Sequence, residues 1–210
     1  MKNKQMLLAL IFLVKVACAE SYLQMSFDSN LNTKSAPRIE MQWHGIQNFA
    51  KKSHEQNFAV NFNAYPDIYI ISMSKNPLPF EGKFVSIEFE AKITGSLTKW
   101  ARPIWLHGAF GVQIARDGIT FLIFTDEQSA NWNYFAPSNV PLDSQWHTVN
   151  LEYDAIQGTT QIRIDNKIVF EEKNNNKFIS KARTSRLLIG SDGWGKTFPG
   201  QIDNLKIFTR

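Results

Sequence analysis

Hydrophobic and polar residues alternate with a period of two along most of the chain after residue 20. The clearest case is FVSIEFEAKI, residues 84–93. One face of this segment carries only apolar side chains: Val85, Ile87, Phe89, Ala91 and Ile93. Such alternation predicts an antiparallel strand that is buried on one face and solvated on the other.

Two turn sequences predict β-hairpins. AFGVQIARDGITFLIF, residues 109–124, contains Asp117-Gly118, and Asp-Gly is among the strongest short hairpin signals. GTTQIRIDNKIVFEE, residues 158–172, repeats the pattern with Asp165-Asn166 at the turn. Further short strands are predicted at residues 22–28, 38–44, 57–62, 67–72, 145–153, 185–190 and 200–208.

About a dozen short strands without a capped amphipathic helix predict an all-β fold, built as a two-sheet antiparallel sandwich. KNPLPFEG and APSNVPLD are interpreted as crossovers between strands, so that no linker divides the chain. EEKNNNKFISKARTS is the most polar segment and is interpreted as a surface loop. We therefore expect a single domain over residues 20–210.

The first nineteen residues have the features of a secretory signal peptide. Lys2 and Lys4 precede the apolar run MLLALIFLV, and ACA ends at Ala19, where cleavage is expected. The run is short for a membrane span, so no membrane insertion is expected after cleavage. A lipoprotein signal at Cys18 is the weaker alternative, because Lys15 stands where an apolar residue is wanted. The mature protein is expected to be secreted or periplasmic.

Composition changes once this leader is set aside. The 210-residue chain is 43% hydrophobic with 16 Phe and 6 Trp, which is ample for a folded core. The leader contains the one cysteine and three lysines, so 20 basic and 19 acidic residues remain. A nearly neutral chain has no basic footprint for nucleic acid. Export without a disulfide is typical of a bacterial protein.

A family resemblance rests on DSQWHTVNLEYDAIQGTTQIRIDNKIVFEE, residues 143–172. This stretch resembles the core signature of laminin G-like domains, in which a Trp-His step precedes an apolar strand. LQMSFDSNL, FVSIEFEAKI and LLIGSDGWGKTFPGQIDNLKIF are similar to the opening, central and closing segments of that family. The resemblance implies a concanavalin A-like jelly roll, with Trp146 as a core anchor and His147 on the other face. Asn166 stands where a glycine is usual and should soften its hairpin.

Asp203 is the candidate metal ligand of the closing strand. Strict alternation in QIDNLKIF places it on the inward face with Leu205 and Ile207, where a carboxylate must be paired, hydrogen-bonded or metal-bound. The resemblance implies one structural calcium ion between the opening Phe-Asp and the closing Ile-Asp, which are Asp28 and Asp203 here. Asn30 is a possible third oxygen donor. The alternative is that Asp203 accepts backbone hydrogen bonds without a metal.

Two polar patterns keep an enzyme open as the less favoured class. Glu88 and Glu90 lie roughly 7 Å apart on one strand face and could form the carboxylate pair of a glycoside hydrolase. The third acid of jelly-roll glucanases is missing. Gln42 and His44 in RIEMQWH are similar to the Gln-x-His pair of jelly-roll polysaccharide lyases, but the Tyr-rich motif of those enzymes is not found. An ordinary solvated strand face is favoured for both patterns.

Aromatic residues on the predicted connections are the candidate ligand contacts, since aromatic rings stack on sugars and loops on rigid sandwiches commonly carry binding. The candidates are Trp100, Arg102, Trp132, Asn133, Tyr134 and Trp194. We expect a non-catalytic carbohydrate-binding or adhesion module whose partner is a glycan or glycosylated surface. A protein partner is the alternative, which a broad flat apolar patch would favour.

Overall fold

The computed structural model describes residues 21–27, 32–36, 39–45, 47–52, 58–62, 69–72, 76, 78–97, 100–125, 134–173, 176–184, 186–194 and 197–210. Within these ranges the secondary structure consists of strands, and no helix is long and apolar enough to cross a membrane. The expected signal peptide lies outside them.

Sixteen strands are formed by the described residues. In chain order they are β1 (Ser21–Ser26), β2 (Asn32–Ala36), β3 (Met41–His44), β4 (Phe49–Lys51), β5 (Phe58–Asn61), β6 (Tyr69–Ser72), β7 (Phe84–Ile93), β8 (Ala101–Leu106), β9 (Phe110–Ala115), β10 (Gly118–Ile123), β11 (Tyr134–Pro137), β12 (His147–Asp154), β13 (Thr159–Ile164), β14 (Lys167–Lys173), β15 (Leu187–Ile189) and β16 (Gly200–Thr209).

The strands pair into two antiparallel sheets, which confirms the predicted two-sheet sandwich. Across the described residues, the nine-stranded sheet has the order β14-β13-β12-β7-β16-β1-β2, with β5 also paired to β16 and β4 to β5. The seven-stranded sheet has the order β11-β10-β9-β8-β15-β6-β3. Their inner faces enclose one large apolar core, and the alternation predicted for β7 is observed at each of its ten positions.

Both predicted hairpins form. In the β13–β14 hairpin Ile164 pairs with Lys167, and Asp165 (φ 52°) and Asn166 (φ 64°) are both left-handed, as a type I′ turn requires. In the β9–β10 hairpin Ala115 pairs with Gly118, so the turn residues are Arg116 and Asp117, one position earlier than predicted.

Four short strands were not predicted: β2, β4, β8 and β11. Strand β8 is the most important of them because it supports the candidate site. Its residues are buried on both faces apart from Arg102, so the sequence lacks the alternation that marks a one-sided strand. Its pairing with β9 is also irregular between Ala101 and Ile104.

The outer face of the seven-stranded sheet carries a second apolar layer. Trp105, Leu122, Phe124 and Leu188 form a buried cluster there, with Tyr69 and Ile71 packed against it. Gly111 pairs with Trp105, and a Cβ at this glycine would overlap the indole ring. The missing side chain therefore lets Trp105 lie flat on the sheet, next to the loop that follows β15.

Candidate functional site

A hydrogen-bonded turn follows β15 and ends at Trp194. Asp192, whose side chain is only 2% exposed, accepts a hydrogen bond from Nη1 of Arg102 at 2.9 Å. Its other oxygen accepts the backbone N–H of Trp194 at 2.8 Å. Gly193 is left-handed (φ 79°), and its N–H donates to Oγ of Ser191 at 3.1 Å. A buried charge pair therefore sets the turn that displays the tryptophan.

Trp194 is 66% exposed and forms one wall of a pocket of about 170 Å³, here called the Trp194 pocket. Its ring lies nearly perpendicular to that of His107, with centroids 6.0 Å apart, and His107 stacks on Trp105 at 6.4 Å. Thr184 and Arg186 line the same pocket. Apolar rings beside polar groups of this kind are typical of sites that bind small polar ligands.

Burial lowers the pKa of His107, and the nearby Arg183 guanidinium lowers it further. The ring therefore remains neutral at neutral pH, where it can donate one hydrogen bond and accept another.

A second pocket, of about 330 Å³, lies beside Trp100 and is here called the Trp100 pocket. Trp100 is 44% exposed and immediately precedes β8. Four polar side chains line this pocket: the amides of Gln113 and Asn139, the carboxylate of Asp117 and the hydroxyl of Thr120. Gln113 and Thr120 pair across β9 and β10 on the outer face of the seven-stranded sheet.

Of the six predicted ligand contacts, two line pockets, one supports a pocket, and three cannot be placed in full. Trp100 and Trp194 each line a pocket, and the two pockets lie near opposite ends of β8. Arg102 is bonded to Asp192, and its guanidinium lies 4.5 Å from the Trp105 ring centroid. Trp132 and Asn133 fall outside the described residues, as does the side chain of Tyr134 at the start of β11.

The site contains three residues that were not among the predicted ligand contacts. His107 and Arg186 carried no motif, and their proximity to Trp194 arises only when β8 and β15 pair. Asp192 did carry a signal. An Asp-Gly step directly before an exposed tryptophan is typical of a tight turn in which the carboxylate bonds the backbone.

A family model for laminin G domains, described as the concanavalin A-like lectin/glucanases superfamily, matches residues 67–210. The chain belongs to this superfamily. The match confirms the resemblance drawn from residues 143–172 and the jelly-roll fold expected from it. No match to the sequence was found among curated proteins.

Solved structures of this superfamily fold include carbohydrate-binding domains. Domain 4 of AbnA, a GH43 extracellular arabinanase from Geobacillus stearothermophilus in complex with arabinotriose, has a TM-score of 0.63 at 17% identity, covering 90% of this chain and 93% of that one. The botulinum neurotoxin DC binding domain in complex with SialylT has a TM-score of 0.60 at 14% identity, covering 91% of this chain and 48% of that one.

The same neurotoxin domain in complex with rat synaptotagmin II has a TM-score of 0.62 at 14% identity, covering 90% of this chain and 48% of that one. This chain therefore spans about half the length of the neurotoxin binding domains. At these identities the likeness shows the fold.

Asp203 does not lie on the core face, which corrects the prediction from strict alternation. The pairing of β16 with β7 is irregular between Asp203 and Lys206, and Asn204 is left-handed (φ 50°). This bulge changes the parity of the strand. Asp203 pairs with Glu90 on the outer face, whereas Leu205 faces the core.

Asp203 is nevertheless buried, and Lys52 bonds it there. Nζ of Lys52 donates to Asp203 at 3.0 Å and also bonds Glu90, and it lies 4.8 Å from the Trp146 ring centroid. Nδ2 of Asn204 donates to Glu90 at 2.6 Å. These five residues are here called the Lys52 cluster. Burial lowers the Lys52 pKa, but its bonds to the two carboxylates outweigh this effect and leave the pKa raised.

Of the three predicted calcium ligands, only Asp203 lies within the described residues. Asp28 and Asn30 lie outside the described residues, and the described ranges contain no group of three or more His, Cys, Asp or Glu side chains that could hold a metal. Asp203 is described, and one of its oxygens receives the Lys52 ammonium. The calcium ion at Asp28, Asn30 and Asp203 stays a prediction, and it would compete with Lys52 for the Asp203 carboxylate.

Trp146 and His147 have roles other than those expected from the family. Trp146 is half-buried against Lys52 on the outer side of the nine-stranded sheet, so its expected role as a core anchor is wrong. His147 bonds Asp165 through Nδ1 at 2.7 Å and Asp143 through Nε2 at 2.9 Å. It links the turn before β12 to the β13–β14 turn.

The candidate catalytic pairs lie on different sheets. Glu88 bonds Lys206 at 2.6 Å and Glu90 bonds Lys52, both on the outer face of the nine-stranded sheet. Gln42 and His44 are exposed on edge strand β3 of the seven-stranded sheet, where the His44 ring stacks on Tyr69 at 4.4 Å.

Proposed function

We propose that this protein is an exported, non-catalytic carbohydrate-binding module that holds a sugar ring on Trp194. Tryptophan gives a large apolar face for a sugar ring, and the polar side chains of the Trp194 pocket give orientation. The volume of about 170 Å³ fits one sugar unit rather than a drug-sized ligand, which takes roughly 300 Å³ or more.

The observation that carries this proposal is the hydrogen-bonded turn that displays the exposed Trp194. An exposed indole on a loose loop would lose conformational entropy on binding. Here Arg102 and Asp192 fix the turn before the ligand arrives, and the His107 ring packs against Trp194. Arg102 thus acts as a positioning residue.

The Trp100 pocket is proposed as a second contact for the same polymer. Trp100 and Trp105 are five residues apart, roughly 17 Å at about 3.3 Å per residue. Trp105 lines the Trp194 pocket, so a chain of several sugars is long enough to contact both Trp100 and Trp194. Two weak sites on one chain raise the overall affinity through effective concentration.

The test is affinity electrophoresis of the purified protein in gels containing neutral and acidic polysaccharides. We expect retardation by at least one polymer, and roughly a tenfold weaker interaction for Trp194→Ala, because a stacked aromatic contact is worth about 1 kcal/mol beyond its buried area. Trp100→Ala should weaken the interaction less. Phe178→Ala is the matched control, since Phe178 is 55% exposed and lines neither pocket.

Retardation by no glycan would reject the carbohydrate-binding proposal and favour a protein partner. The export proposal has a separate readout: the mass of the secreted or periplasmic protein should correspond to a chain beginning at Glu20.

A polysaccharide lyase is the second candidate function, because the structure stacks Tyr69 on His44 although no Tyr-rich motif was found in the sequence. An exposed histidine beside a tyrosine hydroxyl can remove and return a proton. New unsaturated sugar ends in the same polymers, lost in His44→Ala, would support this function over the binding module. The hydrolase alternative has less support, since Glu88 and Glu90 are both engaged by lysines.

A further inference from the structure

The rim of the Trp194 pocket carries an unbalanced positive charge. Asp192 is the acidic residue of the lining, and its carboxylate is already bonded to Arg102 and to the backbone of Trp194. Arg186 is exposed and forms no ion pair with any residue that the structure describes.

Local structure holds Arg186 at the edge of the pocket. Its backbone N–H donates to Oγ1 of Thr184 at 3.1 Å, which fixes the turn that leads into β15. The next N–H, that of Leu187, donates to Oγ of Ser72 at 2.8 Å and ties the start of β15 to β6. Thr184 and Arg186 therefore lie side by side on the rim, with the exposed Trp194 ring in the same lining.

We propose that the Trp194 pocket selects an acidic sugar, with the pyranose ring stacked on Trp194 and its carboxylate paired with the Arg186 guanidinium. This inference rests on the carbohydrate-binding function proposed above. A guanidinium matches a carboxylate through two parallel N–H···O bonds, which a neutral hydroxyl cannot reproduce. The Thr184 hydroxyl offers a further hydrogen bond to the sugar.

The Arg186 ion pair and the Trp194 stacking contact should differ in strength and in their dependence on salt. An exposed ion pair contributes only about 0.2–1 kcal/mol, which corresponds to roughly a one- to fivefold change in affinity. The tryptophan face must therefore provide most of the affinity, and the arginine the preference for acid over neutral sugar. Salt should weaken the arginine contact and leave the stacking contact largely intact.

The experiment compares polygalacturonate and alginate with their methyl esters, which keep the sugar rings and remove the charge. Dextran and dextran sulfate serve as neutral and sulfated probes. Dissociation constants are measured for the wild-type protein, Arg186→Gln, Arg186→Lys and Trp194→Ala. Lys173→Gln is the control, because Lys173 is an exposed cation on β14 of the other sheet and lines neither tryptophan pocket.

We expect the acids to bind about threefold to fivefold more tightly than their esters, with this preference lost in Arg186→Gln and partly kept in Arg186→Lys. Trp194→Ala should weaken acid and ester alike, and Lys173→Gln should change neither. Equal binding of acid and ester that still requires Trp194 would overturn the inference and leave the carbohydrate-binding proposal standing. Equal losses of affinity for the acids in Arg186→Gln and Lys173→Gln would indicate general charge attraction and also overturn the inference. A preference for dextran sulfate would do the same. Binding to no probe would reject both proposals.

Discussion

His147 joins the turn before β12, at Asp143, to the β13–β14 turn, at Asp165. Asp165 bonds its Nδ1 and also accepts the backbone N–H of Thr148 at 2.9 Å, while Asp143 bonds its Nε2. Burial lowers the His147 pKa, but the bonds to the two aspartates outweigh this effect and leave it raised. The histidine of the Trp-His step therefore acts as a structural clamp between these turns.

The stability contributed by His147 should depend on pH within a defined window. Its raised pKa means that the contribution is fully present below the ordinary value of 6.5 and is lost as pH rises through the higher folded-state pKa. The backbone of Gln145 and the His147 ring lower the Asp143 pKa. Burial raises the Asp165 pKa, but the bond from His147 outweighs this effect and leaves it lowered. The aspartate contribution is therefore present above the ordinary value of 3.8 and is lost as pH falls through the lower folded-state values.

Thermal unfolding of the wild-type protein and His147→Gln from pH 3 to pH 9 checks this prediction. We expect the difference in Tm to be greatest at about pH 4–6.5 and to decrease on both sides. His44→Gln is the control, because the exposed His44 ring contacts Tyr69 and no described carboxylate. A difference that does not vary with pH would show that His147 acts through packing alone.

The residue scale also shows why some site residues were predictable and others were not. Trp194 and Trp100 were identified because a large ring outside the core periodicity is visible in the sequence. Arg186 was not, since its role depends on its distance from Trp194 after β8 and β15 have paired. Asp203 was misplaced because a single left-handed Asn204 reverses the parity on which the prediction relied.

At the scale of elements, strands with one solvated face were predictable and strands covered on both faces were not. β7 and β12 alternate, and both were predicted close to their observed bounds. β8 is covered by the main core on one side and by the Trp105 layer on the other, so its sequence is not periodic. Strands β2 and β4 are only five and three residues long, too short for a period of two to be evident.

The β13–β14 hairpin gives a test of turn chemistry at this scale. Asn166 adopts φ 64°, which asparagine tolerates and β-branched residues do not. We expect Asn166→Gly to leave the free energy of unfolding unchanged or to raise it by a few tenths of a kcal/mol. Asn166→Val should lower it by about 1–2 kcal/mol. Urea unfolding measures both changes, and a neutral Asn166→Val would show that the turn relaxes to another conformation.

At the scale of the whole molecule, the two sheets have outer faces of different character. The nine-stranded sheet carries ion pairs between adjacent strands, such as Lys206–Glu88 and Arg163–Glu152. The seven-stranded sheet carries the Trp105 layer and both tryptophan pockets. Charges that are paired with each other leave little for a ligand to contact. Exposed rings beside polar groups, in contrast, offer a ligand both stacking and hydrogen bonds. The binding proposed above therefore involves the outer face of the seven-stranded sheet.

The Lys52 cluster is the point where several strands of the nine-stranded sheet depend on one charge. Lys52 follows β4, Glu90 lies on β7 and Asp203 on β16, so the ammonium links three strands. Removing one partner of a buried ion pair leaves a carboxylate without its countercharge. We therefore expect Lys52→Met to lower the free energy of unfolding by about 3 kcal/mol, or the Tm by roughly 6–12 °C.

Calcium should act differently on the wild-type protein and on Lys52→Met, because Lys52 and the predicted calcium ion neutralise the same Asp203 carboxylate. Differential scanning calorimetry with calcium and with chelator should show a small calcium effect in the wild-type protein and a larger stabilisation in Lys52→Met, where Glu90 and Asp203 both lack their cation. Lys206→Met is the control: its ammonium pairs with the more exposed Glu88, and its loss should cost less than about 1 kcal/mol with no calcium dependence. An equally large calcium effect in the wild-type protein would mean that the metal binds beside Lys52, through Asp28 and Asn30. No calcium effect in either protein would reject the metal site and leave Lys52 as the cation that neutralises Asp203.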